Sequence, residues 1–361
     1  MREGNVCGQA EIQEIAERLY AGERLSFDDG LILYRQAELE ELGRMADFVR
    51  RRKHPEPTVT YIVGRNINYT NVCWVRCSFC AFYRPPGSQE GYVLPREVIF
   101  EKIREMAEAG GIEILIQGGL NPKLKIEYYE DLFRDIKRHF KVHIHGLSPT
   151  EILYISQLSR LTLPETVSRL RAAGLDTIPG AGGEILADEV RKQIAPHKES
   201  TSEWLDVMRV AHSLGMRTSA TMMYGSVERV EHRLEHLMLV RELQDETGGF
   251  TAFIPWNYQP GGTELGGEKT GGLEYLRMIS LSRILLDNID NLQASWVTQG
   301  AEIARVSLNY GVNDFGSTMF EEHVVAAAGT TFCMDETELR RQVSEAGYVP
   351  RRRNTYYQLV D

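Results

Sequence analysis

The sequence has no run of about 18 consecutive apolar residues, the length a membrane helix needs, so nothing in it reads as a membrane span. It also lacks an excess of positive charge: 41 Lys and Arg stand against 51 Asp and Glu, a net of −10. A surface of that sign repels phosphate, which argues against nucleic acid as the main partner. The two short basic runs, RRRKH at 50–54 and RRR at 351–353, read as solvated faces. The start, MREGNVCGQAEIQEIAERLY, turns polar and helical at once and has no apolar signal core. The expected location is therefore the cytoplasm, where thiols stay reduced. Cysteine is scarce, 5 in 361 residues. Cys7 and Cys333 stand far from the rest and read as ordinary cysteines.

The other three lie in NYTNVCWVRCSFCAFYR, residues 68–84, as Cys73, Cys77 and Cys80. In a reducing compartment such a cluster points to a metal or redox site, not to disulfides. Structural zinc usually takes four protein ligands in two pairs. Here no second Cys-x-x-Cys pair exists, and the nearest histidines are His54 and His139. An electron-transfer 4Fe–4S cluster also usually takes four cysteines. Three ligands therefore suggest a cluster with one iron left open, by the logic that separates open catalytic zinc from closed structural zinc.

Apolar residues at helical spacing fill 9–53, as in Ile12, Ile15, Leu19, Leu39 and Leu42. After that, short β-type runs alternate with amphipathic segments. The runs are 59–70, 112–117, 142–147, 175–180, 217–225, 251–256, 292–297 and 311–316, the first with a possible break at Gly64. Helices are expected between them, for example over 95–109 and 228–246. Strands alternating with helices imply an α/β fold with a parallel sheet and helices outside. Eight repeats favour a closed (β/α)8 TIM-type barrel, although a six-stranded partial barrel or a doubly wound sheet has the same pattern. The expected organisation is an N-terminal helical extension over 1–57, a barrel over 58–335 and a short C-terminal cap over 336–361. In such barrels chemistry sits at the C-terminal ends of the strands. The unusual segments do follow the strand runs: the cysteines, QGGL, GLSP, GAGGE, WNYQPGG and NDFGST.

The spacing Cys-x3-Cys-x-Phe-Cys after a first strand resembles the radical S-adenosylmethionine (SAM) enzymes. The resemblance implies that Cys73, Cys77 and Cys80 hold a 4Fe–4S cluster and that SAM chelates the open iron. One electron then cleaves SAM to a 5′-deoxyadenosyl radical, and an electron donor such as flavodoxin or ferredoxin is implied. Phe79 matches the aromatic beside the adenine, and the backbone near Phe82 the adenine contact. Gly118 and Gly119 match the glycine-rich turn that meets the methionine amino group. Many members end that turn in Glu, whereas Leu120 stands here. Ser148 falls near the expected SAM or substrate site. Glu184 matches an acidic SAM contact, a reading that competes with an acid placed at a helix N-terminus.

The flanks RNINYTN, FCAFYR, HIHGLSPTEI, LRAAGLDTIPGAGGEIL, FIPWNYQPGGTEL and NDFGSTMFEEHVV narrow the resemblance. They are similar to the group that contains dehypoxanthine futalosine cyclase, aminofutalosine synthase and the deazaflavin (FO) synthase subunits. PWNYQPGGTEL looks most like the cyclase branch of menaquinone biosynthesis. A radical cyclisation is implied, in which a sugar carbon radical adds to a benzoate ring. A small-molecule substrate of that kind asks for particular partners. Arg84 is a candidate for the benzoate, or else a loop-packing arginine. Asn257, Gln259, Asn313 and Asp314 are candidates for the sugar hydroxyls, although Asn and Asp also suit turns. Trp256 and Tyr258 either cover the arene or pack the barrel mouth. His143 and His145 point to one side of their strand. His145 is the candidate to take the ring proton, unless it is a satisfied core histidine. Glu322 and His323 read as the start of a helix without a role. Outside this group, a barrel metal hydrolase built on His-x-His leaves the three cysteines unexplained. A non-catalytic iron–sulfur carrier is the other rival.

Overall fold

The computed structural model describes residues 3–360, with side chains from residue 9, so the side chain of Cys7 lies outside the described residues. Three helices come first: α1 Glu3–Ala21, α2 Phe27–Gln36 and α3 Leu39–Lys53. Their apolar faces, including Ile12, Leu19, Leu33, Leu42 and Met45, are buried against the helices Val230–Thr247 and Gly272–Leu285 on the barrel's outside.

Ten strands follow: β1 Thr58–Ile62, β2 Gly64–Asn68, β3 Glu113–Gln117, β4 His143–Gly146, β5 Thr177–Ile178, β6 Arg217–Tyr224, β7 Phe250–Asn257, β8 Asn291–Leu292, β9 Asp314–Ser317 and β10 Val349–Arg352. Strands β2 to β8 make one seven-stranded parallel sheet in sequence order. The sheet closes through β9. A parallel bridge joins Gln293 to Asp314, and β9 pairs in parallel with β1. Strand β1 runs into β2 after Val63, and its register against β9 shifts between Thr60 and Ile62. The first strand run is thus one long strand with a break, serving β9 with its first half and β3 with its second. The result is a (β/α)8 barrel, as the eight runs predict.

The last two strand runs differ in register from expectation. Strand β8 spans only Asn291–Leu292, and the chain turns helical over Trp296–Gln299. Strand β9 starts at Asp314, so Asn313 and Asp314 enter the strand instead of leaving it. Residues 319–325 form an irregular segment before a single 3-10 turn, Ala326–Ala328, so Glu322 and His323 do not start an α-helix. The tail caps the barrel's N-terminal end. Strand β10 pairs in parallel with the outer edge of β1, and buried Arg353 follows it.

Candidate functional site

The C-terminal ends of the strands open into a cavity of about 360 Å³. Cys73, Cys80, Phe79 and Phe82 enter it from the loop after β2. Gly118 and Gly119 enter after β3, Ser148 and Glu151 after β4, and Glu184 after β5. Trp256 and Trp296 form part of the remaining wall, together with Gln293, Ser295 and Thr298. Met319, Glu322, Val324 and Val325 reach it from the segment after β9.

Glu151 organises one side of this cavity. It is the N3 residue of the helix Pro149–Ser159 and forms a capping box with Ser148. One carboxylate oxygen accepts from the Ser148 N–H at 2.7 Å and hydroxyl at 2.8 Å. The other accepts from the Tyr69 hydroxyl at 2.8 Å and the Gly118 N–H at 3.0 Å. Burial raises its pKa to about 7, against the lowering effect of these bonds. One buried carboxylate therefore ties together the ends of β2, β3 and β4. The Gly119 N–H is used as well, donating to the Thr70 carbonyl at 2.9 Å. The turn's donors face the protein, while the Gly118 carbonyl accepts no bond from the described residues. That leaves an acceptor suited to a cationic ligand group.

Across the cavity Glu184 sits at a positive φ of 30° and pairs with Lys198 at 2.5 Å. Both side chains are about nine-tenths buried. Burial works against the Lys198 charge, yet Glu184 and Glu199 beside it keep its pKa above the ordinary value. The Lys198 ammonium also lies 5.5 Å from the centre of the Phe79 ring. Burial pushes the Cys77 and Cys80 thiols up, so both are neutral in this form. Among the described residues, no three Cys, His, Asp or Glu side chains are gathered into a preformed metal site.

The radical SAM superfamily pattern matches residues 67–240, and the CofH/MqnC C-terminal region matches 247–361. The chain is 47% identical to the cyclic dehypoxanthine futalosine synthase of Halalkalibacterium halodurans, over 97% of this chain and 95% of that one. The chain belongs to the radical SAM superfamily. Within the superfamily it is 44% identical to the Streptomyces coelicolor protein of the same name, over 97% and 89% of the two chains. It is 40% identical to the aminodeoxyfutalosine synthase of Thermus thermophilus, over 96% and 95%. Among solved structures, methylornithine synthase (PylB) shares the fold, with a TM-score of 0.74 at 18% identity, over 93% and 97%.

Radical SAM enzymes use a 4Fe–4S cluster and SAM, and Cys73, Cys77 and Cys80 fit the motif. The surroundings fit both groups. Three free thiols share one loop, and the Gly118 carbonyl and the buried Asn66 and Asn68 side-chain oxygens have no hydrogen-bond partner among the described residues.

Several residues expected to contact substrate lie away from this cavity. Arg84 does not face the cavity: it pairs with Glu90 at 2.5 Å and donates to the carbonyls of residues 81–83. Asn257 is fully buried, donating to the Thr270 carbonyl and accepting from Gln259 and Gln299. Gln259 also accepts from Thr330, and the Tyr258 hydroxyl pairs with Thr263. These three brace the 258–270 loop and do not line the cavity. Asn313 accepts from buried Arg283 at 2.6 Å, and Asp314 takes both arms of Arg353 at the barrel floor. His145 lies below the cavity, held through Nδ1 at 2.7 Å from the Thr177 hydroxyl. Burial, helped by Arg353, lowers its pKa to about 3, which makes it a poor acceptor for a ring proton. Trp256 does line the cavity.

Glu151, Trp296, Gln293 and Glu322 are among the cavity residues that the sequence reading did not assign. The Ser-Pro-x-Glu pattern is a capping-box signature that points to Glu151. Trp296 and Gln293 sat inside a run read as strand. Glu322 accepts from Asn66 at 2.5 Å, a contact across 256 positions that no local pattern reveals.

Proposed function

We propose that the chain is a radical SAM cyclase that converts dehypoxanthine futalosine to cyclic dehypoxanthine futalosine in menaquinone biosynthesis. The observation that carries this reading is the convergence of Cys73, Cys80, the Gly118–Gly119 turn and Glu184 on one cavity, in a chain 47% and 44% identical to two synthases of that name. When bound, the cluster and SAM supply a one-electron cleavage that yields a 5′-deoxyadenosyl radical able to take a hydrogen atom from the substrate sugar.

The chain's own residues bind, orient and shield. Cys73, Cys77 and Cys80 would hold the cluster. The Gly118 carbonyl would meet the SAM ammonium, with Glu151 fixing the turn behind it, while the Gly119 carbonyl accepts the Asn121 N–H at 2.9 Å. Phe79 and Phe82 lie along the adenine, and Ser148 and Glu184 complete the SAM pocket. Trp256 and Trp296 flank the benzoate ring. No free cation faces that ring among the described cavity residues, since Lys198 is paired with Glu184. The segment 319–325 covers the mouth and excludes water from a radical. The cluster, once held, would need an electron from a donor such as flavodoxin or ferredoxin, and the cytoplasm is the compartment that keeps the thiols reduced. No helix among the described residues is long and apolar enough to cross a membrane.

The test is anaerobic reconstitution with iron, sulfide, SAM and a reductant, followed by mass analysis. The expected product has the substrate mass less two hydrogens, formed with 5′-deoxyadenosine. Consumption of an enolpyruvyl benzoate instead identifies the aminofutalosine reaction, and coupling of tyrosine to a ribitylamino pyrimidine the FO reaction. A cluster inert to SAM identifies an electron carrier.

A further inference from the structure

Below the cysteine cavity the barrel encloses a second chamber of about 190 Å³, far more than the ~10–15 Å³ that seats one water. Asn66, Gln117 and Gln293 belong to the walls of both spaces, so the two communicate. The C-terminal tail makes the floor. Arg353 is spent on Asp314, at 2.5 and 2.9 Å, and Thr355 donates to Glu113. Tyr357 stacks under the Arg353 guanidinium at 3.9 Å and holds a left-handed φ of 63°. An aromatic residue is rarely kept in that conformation unless its surroundings require it.

Arg65 is in the wall as well; its terminal nitrogens are spent on Glu105 and Glu321, and its Nε is left without a partner. The other unpaired polar groups facing the chamber are neutral. The His145 Nε2, the Tyr357 hydroxyl and the Gln293 carboxamide make no hydrogen bond to any described residue, and the buried Asn66 Oδ1 has no partner. Each can meet a hydroxyl group, which both donates and accepts. A carboxylate suits the chamber poorly. The two cations in the chamber wall, Arg65 and Arg353, are already paired with carboxylates, and Glu113 adds a negative charge.

We propose that this lower chamber seats the hydroxylated sugar of the substrate. His145, Gln293 and Tyr357 are its hydrogen-bonding partners, and the benzoate stays above, between Trp256 and Trp296. The substrate thus enters sugar first, with the carbon that loses hydrogen at the level of the shared wall. The assignment rests on the cyclase reading and adds to it an orientation and three binding residues. It gives the C-terminal tail a part in recognition, because Tyr357 belongs to it.

The test compares two ligands on the reconstituted holoenzyme by equilibrium binding: dehypoxanthine futalosine, and an analogue that keeps the benzoate and its side chain but lacks the sugar. Tyr357→Phe and Gln293→Leu are each expected to weaken the full substrate by about tenfold, as expected for a lost buried hydrogen bond, and to leave the analogue's affinity within about twofold of wild type. The two variants act from different elements, so a folding defect in one leaves the other informative. Equal losses for both ligands in both variants, or no loss for either, overturn the assignment while wild-type enzyme still converts the substrate. Wild-type enzyme that leaves dehypoxanthine futalosine unconverted overturns the cyclase reading, and this assignment with it.

Discussion

The Glu151 carboxylate accepts the Gly118 backbone N–H at 3.0 Å, from a helix that follows the next strand. The glycine turn has Leu120 where many radical SAM enzymes have an acid. Glu151 puts a carboxylate behind the turn instead. Replacing Glu151 with Ala leaves the Gly118 and Ser148 N–H groups and the Tyr69 hydroxyl buried without their acceptor. Each such loss costs about 1–3 kcal/mol. The expected outcome is a SAM affinity at least tenfold weaker, read by equilibrium binding to the reconstituted protein, with a lower denaturation midpoint.

The same residue sets a pH dependence. Burial is the largest influence and raises the Glu151 pKa from an ordinary 4.5 to about 7. A carboxyl raised in this way binds more protons folded than unfolded. Its contribution to stability is full below about 4.5 and is lost as pH rises toward about 7. The stability of wild type minus that of Glu151→Gln should therefore fall across that window and level off above it. Thermal melts of the cluster-free chain at several pH values measure this. A difference that rises with pH contradicts it.

Arg84 looked suited to a benzoate from its place beside the cysteines. Its partner is Glu90, and their side chains are 37% and 71% exposed. An exposed pair of this kind contributes at most about 1 kcal/mol. Arg84→Ala is expected to leave the KM for substrate within about twofold of wild type and to cost no more than that in stability. A large rise in KM would show that the side chain swings inward.

The barrel and the cluster loop were legible because their signals are local. Strand runs, the cysteine spacing and the glycine turn each lie within a few residues. The capping box that marks Glu151 is local too, and only its reach to Gly118 is not. Asn313 and Asp314 misled because strand β9 starts at Asp314, within a run that began at 311. A shift of a few residues moved them from the active end to the floor. His145 was placed on the correct side of its strand, but one strand holds both ends of a barrel, and depth along it is not written in alternation. Glu322 reaches the cavity through its bond to Asn66, 256 positions away, which no periodicity encodes.

Asp314 is therefore a floor residue and its removal is a stability experiment. It is fully buried, takes both arms of Arg353, and accepts from Thr60 at 2.6 Å. Removing one member of a buried pair strands the other charge, at about 3–5 kcal/mol. Asp314→Ala is expected to lower the denaturation midpoint accordingly, or to give insoluble protein. Removing both charges together in an Asp314→Leu, Arg353→Met double variant should cost less than the single change.

Gly119 shows how closely the cofactor turn is fitted to the cysteine loop. A Cβ there would overlap the Val72 carbonyl and stand 2.9 Å from the Cys73 Cβ. The overlap is with backbone, so no side-chain rotation relieves it. Gly119→Ala must move the turn away from the loop that carries the cysteines. The expected outcome is less iron per chain after reconstitution and weaker SAM binding, with helix and strand content unchanged by circular dichroism. Gly271→Ala is the control, because a Cβ there meets nothing within 4 Å. If Gly119→Ala loads iron and binds SAM as the control does, the turn and the cysteine loop are not mechanically joined, and Glu151 positions the turn alone.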